Sequence, residues 1–174
     1  MSEGIVLPDA PRGALLDEAT RAARLAEALP QIRAAASGET DAVALQATLA
    51  CLLWETFVQA NWCGFYRRVG ESMLAVGPYQ GTMGCLRIDF ARGVCGACAR
   101  TQQVQLVPDV HAFPGHIACD DRTRSELVVP VVSRGMLRAV LDLDSPFVGG
   151  FSRVEADALL ALVGEVFGGD DVVW

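Results

Sequence analysis

Glu126-Leu-Val-Val-Pro-Val-Val-Ser-Arg-Gly-Met-Leu-Arg-Ala-Val-Leu-Asp-Leu-Asp144 reads as a β-hairpin, and that reading decides the fold. Glu126–Val132 and Met136–Leu143 are apolar runs of strand length, rich in β-branched residues, joined at Ser133-Arg134-Gly135. Along Ala139–Asp144 a period of two puts Ala139, Leu141 and Leu143 on one face, and Val140, Asp142 and Asp144 on the other. The first face calls for a cover of helices. The second is a solvated surface if bare and a pocket wall if covered. In a pocket, crowded carboxylates raise one another's pKa and leave one protonated near neutrality, able to give up a proton.

Four more strands precede the hairpin. Trp62–Val69 and Met73–Tyr79 flank a turn at Gly70-Glu71-Ser72, and Cys85–Ile88 and Val104–Val107 are shorter. Helices bracket them. Leu15–Ala36 is one, with Pro30 expected to break or restart it. A second is capped at Thr40-Asp41 and carries Leu45, Leu49, Leu52, Leu53 and Phe57 on one face. The last opens on the capping box Ser152-Arg-Val-Glu155 and stops at Gly168-Gly169. Small-residue Gly93–Thr101 makes a short helix with Cys95 by its N-terminus. Residues 1–13 read as a tail and 14–174 as one domain. The fold class is α/β or α+β: a six-stranded, mostly antiparallel sheet with helices packed on one face.

Composition narrows the function. Apolar residues make up 52% of 174, which argues against disorder. The net charge is −7 and every cation is one of 14 arginines, so no basic run exists to bind nucleic acid or an anionic membrane. No apolar run reaches membrane-spanning length and no secretory signal is visible, so the expected setting is the cytoplasm. There, six cysteines read as buried thiols, metal ligands or catalytic groups, not as a disulfide framework.

Asp109–Ser125 is a 17-residue connection without periodicity, more like a binding loop or lid than filler, and Cys119 sits near its middle. Cys85 and Cys95 lie upstream by turn-like segments. Three readings of these cysteines compete. Cys95-x-x-Cys98 with His116-x-x-Cys119 has the spacing of a zinc site, although an apolar strand lies between and the chain is large enough to fold without metal. A thioredoxin-type Cys-x-x-Cys wants a parallel βα junction, which the pattern lacks. In the third, Cys119 attacks an electrophilic sulfur or peroxide oxygen and an upstream thiol condenses with the resulting sulfenic acid. Glu126, Asp142 and Asp144 are placed to supply the acid.

Asn61-Trp-Cys-Gly-Phe-Tyr66, Gly77-Pro-Tyr-Gln-Gly81, Gly93-Val-Cys-Gly96, Asp109-Val-His111, Gly115-His-Ile-Ala-Cys-Asp120, Ser125-Glu126 and Leu141-Asp-Leu-Asp-Ser-Pro146 together resemble the free methionine-(R)-sulfoxide reductases, stand-alone GAF domains, over roughly Thr40–Val166. The resemblance implies that Cys119 is the attacking thiol and that Cys85 or Cys95 resolves it. It also implies a substrate pocket of Trp62, Tyr66, Glu126, Asp142 and Asp144, no cofactor or metal, free methionine sulfoxide as substrate and a thioredoxin-like reductant. Acidic groups suit the α-ammonium of a free amino acid, and an aromatic such as Trp62 suits its S-methyl group. A non-catalytic GAF sensor of small ligands is the competing class. Cys63 and Cys98 depart from the family pattern, and they and Cys51, near the apolar face of the second helix, are expected to pack, although Cys98 is near enough to Cys95 to compete as resolver. His111 and His116 are expected to anchor the loop, with His116 a candidate base for the Cys119 thiol. Oligomeric state stays open between monomer and homodimer.

Overall fold

The computed structural model describes residues 4–115 and 120–174. Its hairpin closes through Arg134 and Gly135, both at positive φ (52° and 71°), as a two-residue turn matched to strand twist requires. The two strands of that hairpin, Ser125–Ser133 and Met136–Ser145, are β5 and β6 in chain order. Before them come β1 (Trp62–Arg68), β2 (Met73–Gly81), β3 (Arg87–Asp89) and β4 (Gln105–Val107). The sheet runs β3-β2-β1-β6-β5-β4, with every neighbouring pair antiparallel.

The alternation read from the hairpin sorts the two faces. Cys63, Phe65, Leu127, Val129, Val131, Ala139, Leu141 and Leu143 point into a core closed by α1 (Glu18–Ala36), α2 (Ala42–Thr56) and α4 (Arg153–Phe167). The opposite face carries a second apolar cluster, in which α3 (Gly93–Thr101) packs Val94, Cys95, Cys98 and Ala99 against Val128 and Val140. Helices therefore lie on both faces, three on one and α3 on the other. Gly96 allows that approach, because a Cβ there would lie 2.6 Å from the Asp89 carbonyl oxygen.

Pro30 neither breaks nor restarts α1, which runs continuously through it. Tertiary packing outweighs the local penalty, since Ala28 and Ile32 on either side are fully buried. The capping box of α4 forms as expected, and its Glu155 also accepts a 3.1 Å bond from buried Arg21 of α1. Residues 4–17 lack regular structure yet are tied down: Gly13 N–H donates to the Val58 carbonyl, and Arg12 stacks on Trp54. No helix among the described residues is long and apolar enough to cross a membrane.

Candidate active site

Register across three strands assembles the site. Asp144 of β6 lies opposite Trp62 of β1 on one side and Glu126 of β5 on the other. One row down, Asp142 lies opposite Gly64 and Val128, and the next row holds Tyr66 opposite Val140. Directly opposed residues share a face, so the two aspartates, Glu126, Trp62 and Tyr66 all project onto the face that α3 partly covers. They line a narrow cleft with about 30 Å³ of free space, closed further by Thr82, Met83, Gly84 and Asp120.

The aromatic wall is a stack. The Trp62 ring lies 5.3 Å from Tyr66 and 5.2 Å from Tyr79, with interplanar angles of 18° and 14°. Gly64 makes the stack possible: a Cβ there would fall 2.3 Å from Cβ of Tyr79. Gly64→Ala is therefore expected to push Tyr79 off Trp62 and to destabilise the fold by roughly 1–3 kcal/mol, as overpacking does. Loss of intrinsic tryptophan anisotropy together with a lowered Tm would register both effects.

The carboxyl wall is electrostatically strained. Asp142 and Glu126 are buried, and Asp144 is half-buried at the rim. Burial pushes Asp142 up to about 7. Burial first, then the Asp142 and Asp144 charges, push Glu126 well above the usual carboxylate range. Burial and then Asp142 raise Asp144 likewise. A hydrogen bond between Glu126 and Asp142 raises the former and lowers the latter, which puts the shared proton on Glu126. Two polar atoms in this cleft, Trp62 Nε1 and Asp142 Oδ1, are buried without a partner, a donor and an acceptor suited to a ligand.

The cysteines divide sharply. Cys95, at the third position of α3, points its Sγ at Glu126 Oε1, 3.8 Å away. Burial, reinforced by Asp142 and Glu126, raises its pKa well above that of a free thiol and keeps it neutral. Cys98 donates to the Val128 carbonyl at 3.7 Å and packs, as does fully buried Cys63. Cys51 is exposed rather than packed: its position on α2 falls outside the buried positions Leu49, Ala50, Leu52 and Leu53. Cys85 is disulfide-bonded, whereas Cys51, Cys63, Cys95 and Cys98 are free. Cys119 and His116 lie outside the described residues. His111 is exposed, and it is its backbone N–H that is held, by Asp109.

Metal-ligand geometry among the described residues is confined to Cys95, Glu126 and Asp142, whose ligand atoms lie within 4.8 Å of one another. Cys98, which the zinc spacing joined to Cys95, is turned to Val128 instead.

Sequence reasoning missed Asp120 as an anchor. Its carboxylate accepts from Thr82 Oγ1 (3.0 Å), Asn61 Nδ2 (3.3 Å) and Arg122 (2.7 Å). The Arg122 hydrogen bonds hold it well below the usual carboxylate range. The signal was the Asp120-Asp121-Arg122 run, an Asx turn in which Arg122 N–H donates back to Asp120. Gly84 was also unread: a Cβ there would sit 2.7 Å from the Tyr66 hydroxyl.

Residues 41–168 match the GAF domain family. The chain is 42% identical over 130 residues to the free methionine-R-sulfoxide reductase of Escherichia coli, covering 75% of this chain and 78% of that one. It is 40% identical over 129 residues to the enzyme of the same name from Saccharomyces cerevisiae, covering 70% and 72%. Among solved structures, the free methionine-R-sulfoxide reductase of Neisseria meningitidis in complex with its substrate superposes with a TM-score of 0.80 at 40% identity, covering 90% of this chain and 92% of that one.

Proposed function

Because this chain belongs to the GAF domain family and, within it, to the free methionine-R-sulfoxide reductases, we propose that it reduces free L-methionine-(R)-sulfoxide to L-methionine with two of its own cysteines. The observation that carries this reading is the cleft itself, with three carboxyl groups on one wall and the Trp62 stack on the other. Asp142 and Asp144 receive the α-ammonium group. A peptide-bound methionine lacks that charge and would leave buried carboxylates unpaired, so it is rejected. The S-methyl group lies against Trp62.

Cys119, as a thiolate, attacks the sulfoxide sulfur. Glu126 protonates the sulfoxide oxygen, the hydroxyl so formed passes from the sulfoxide sulfur to Cys119 Sγ, and the transient sulfur–sulfur bond breaks, releasing methionine and leaving a sulfenic acid on Cys119. Cys85 then condenses with it, giving a disulfide and releasing water. Support for Cys85 as resolver is that, of the described cysteines, it alone is disulfide-bonded. Cys95 stays protonated and acts as a hydrogen-bond donor to Glu126. A thioredoxin-type dithiol of the cytoplasm reopens the disulfide. Because methionine leaves before the donor acts on the disulfide, the reaction follows a ping-pong order.

The test uses the full chain, dithiothreitol and four substrates: R and S epimers, each free and peptide-bound. Only the free R epimer is expected to yield methionine. Binding without turnover would return the chain to the sensor class, and equal turnover of peptide sulfoxide would overturn the role of the aspartates.

A further inference from the structure

The strands that carry the cleft also carry a second cavity at their other ends. The cleft lies where β1 begins (Trp62) and β6 nears its end (Asp144). The second cavity, about 450 Å³, lies where β1 ends and β6 begins, between them and the first turn of α2. That volume falls within the range of about 300–1,000 Å³ common for small-molecule sites. Arg67, Arg138, Gln46 and Trp174 line it, with Leu137 and Val43.

Three of these residues are out of keeping with an idle surface groove. Gln46 is fully buried, and neither of its amide atoms has a partner. Leaving such a group unsatisfied destabilises the fold, a cost that an apolar residue in the same place would avoid. Arg138 has its Nε buried and unpartnered, with the guanidinium 6.0 Å from the Trp174 ring. Arg67 lies in register with Ala139, next to Arg138, and its stem crosses Gly77, where a Cβ would meet its Cγ at 3.1 Å. The chain is acidic overall, and six arginines form ion pairs among the described residues: Arg21, Arg33, Arg122, Arg124, Arg134 and Arg153. Arg67 and Arg138 belong to none of those pairs. Two arginines outside the described ion pairs, a buried amide with donor and acceptor both unused, and an indole ring thus converge on one cavity.

We propose that this cavity is a second binding site, for a small planar organic anion: a ring bearing a phosphate or a carboxylate. The anionic group meets Arg67 and Arg138, whose guanidinium donors suit either oxyanion. The ring lies on Trp174. Its polar edge pairs with the Gln46 amide, as a glutamine can pair two ways with a heterocycle offering one donor and one acceptor. The site is independent of the reductase reading, and the long strands β1 and β6 join it to the cleft.

Calorimetric titration of the full chain tests it with adenosine monophosphate, benzoate and inorganic phosphate as probes. One molecule of the first or second is expected to bind per chain, with Arg138→Met weakening either at least tenfold, Gln46→Leu weakening the nucleotide at least tenfold, and Asp142→Asn leaving both unchanged. Gln46→Leu should also keep or raise the Tm, because the amide it removes has no partner. If that variant does not fold, Arg138→Met alone carries the comparison. Binding of the nucleotide but not benzoate marks a phosphate ligand, and the reverse a carboxylate. Saturation by neither, or affinity indifferent to Arg138→Met, overturns the proposal. Inorganic phosphate binding as tightly as the nucleotide also overturns it, leaving an adventitious ion only.

Discussion

Cys119→Ser is expected to abolish sulfoxide reduction with every donor, dithiothreitol included, because a serine hydroxyl is a far weaker nucleophile near neutrality. The loss should exceed about 10³-fold in kcat/KM, the scale on which removing a covalent nucleophile acts. Cys85→Ser tests the next step. It acts after methionine has left, so a single turnover without reductant should still release about one methionine per chain. Recycling by a thioredoxin-type donor should fail, while dithiothreitol attacks the sulfenic acid directly and partly restores turnover. Cys95→Ser separates the two roles that the sequence offered for Cys95. As a neutral donor to Glu126 it is replaceable by a hydroxyl, so the variant should keep both its single-turnover yield and its recycling by the protein donor. Retention of the single-turnover yield by Cys119→Ser, with its loss in Cys85→Ser or Cys95→Ser, would move the nucleophile to the upstream residue.

The carboxyl wall was legible in the sequence because a strand has a rigid period. Once Leu141 and Leu143 were assigned to the core, Asp142 and Asp144 had to share the other face, and the antiparallel partner brought Glu126 opposite Asp144. The capping residues of α2 and α4 were legible for the same reason, since their hydrogen bonds close within three residues. What could not be read depends on contacts between segments distant in sequence. Cys95 and Cys98 share a helix turn and a chemistry, yet one faces Glu126 and the other the Val128 carbonyl, a distinction set by how α3 docks on the sheet. The anchoring of Asp120 by Thr82 and Asn61 spans 38 and 59 residues and leaves no local trace. Pro30 misled because its cost is local and the compensation, burial of α1, is not.

Asp142→Asn is expected to lower kcat/KM by about 10²–10⁴-fold, the range for loss of acid–base function, while making the protein more stable at pH 8. The sign follows from linkage. Burial raises the folded-state pKa of Asp142 from 3.8 to about 7, so between those values the folded chain holds a proton that the unfolded chain has released. Stability contributed by the protonated carboxyl is complete below about pH 4 and is lost as pH rises to 7. Full ionisation then costs on the order of 4 kcal/mol, since each pKa unit is worth about 1.4 kcal/mol. Asparagine cannot ionise, so it escapes that cost at pH 8 and gains nothing at pH 4. The substitution also removes a charge that raises both Glu126 and Asp144, letting them ionise more readily. Glu126 stays raised by burial but loses one of the charges that add to it, so it holds the proton due to the sulfoxide oxygen less firmly. Thermal melts at pH 4.5 and pH 8 should show the variant above the wild type only at the higher pH, by several degrees for a chain of this size. Normal kinetics together with a pH-independent difference in Tm would return Asp142 to a solvated surface and take the acid wall out of the reaction.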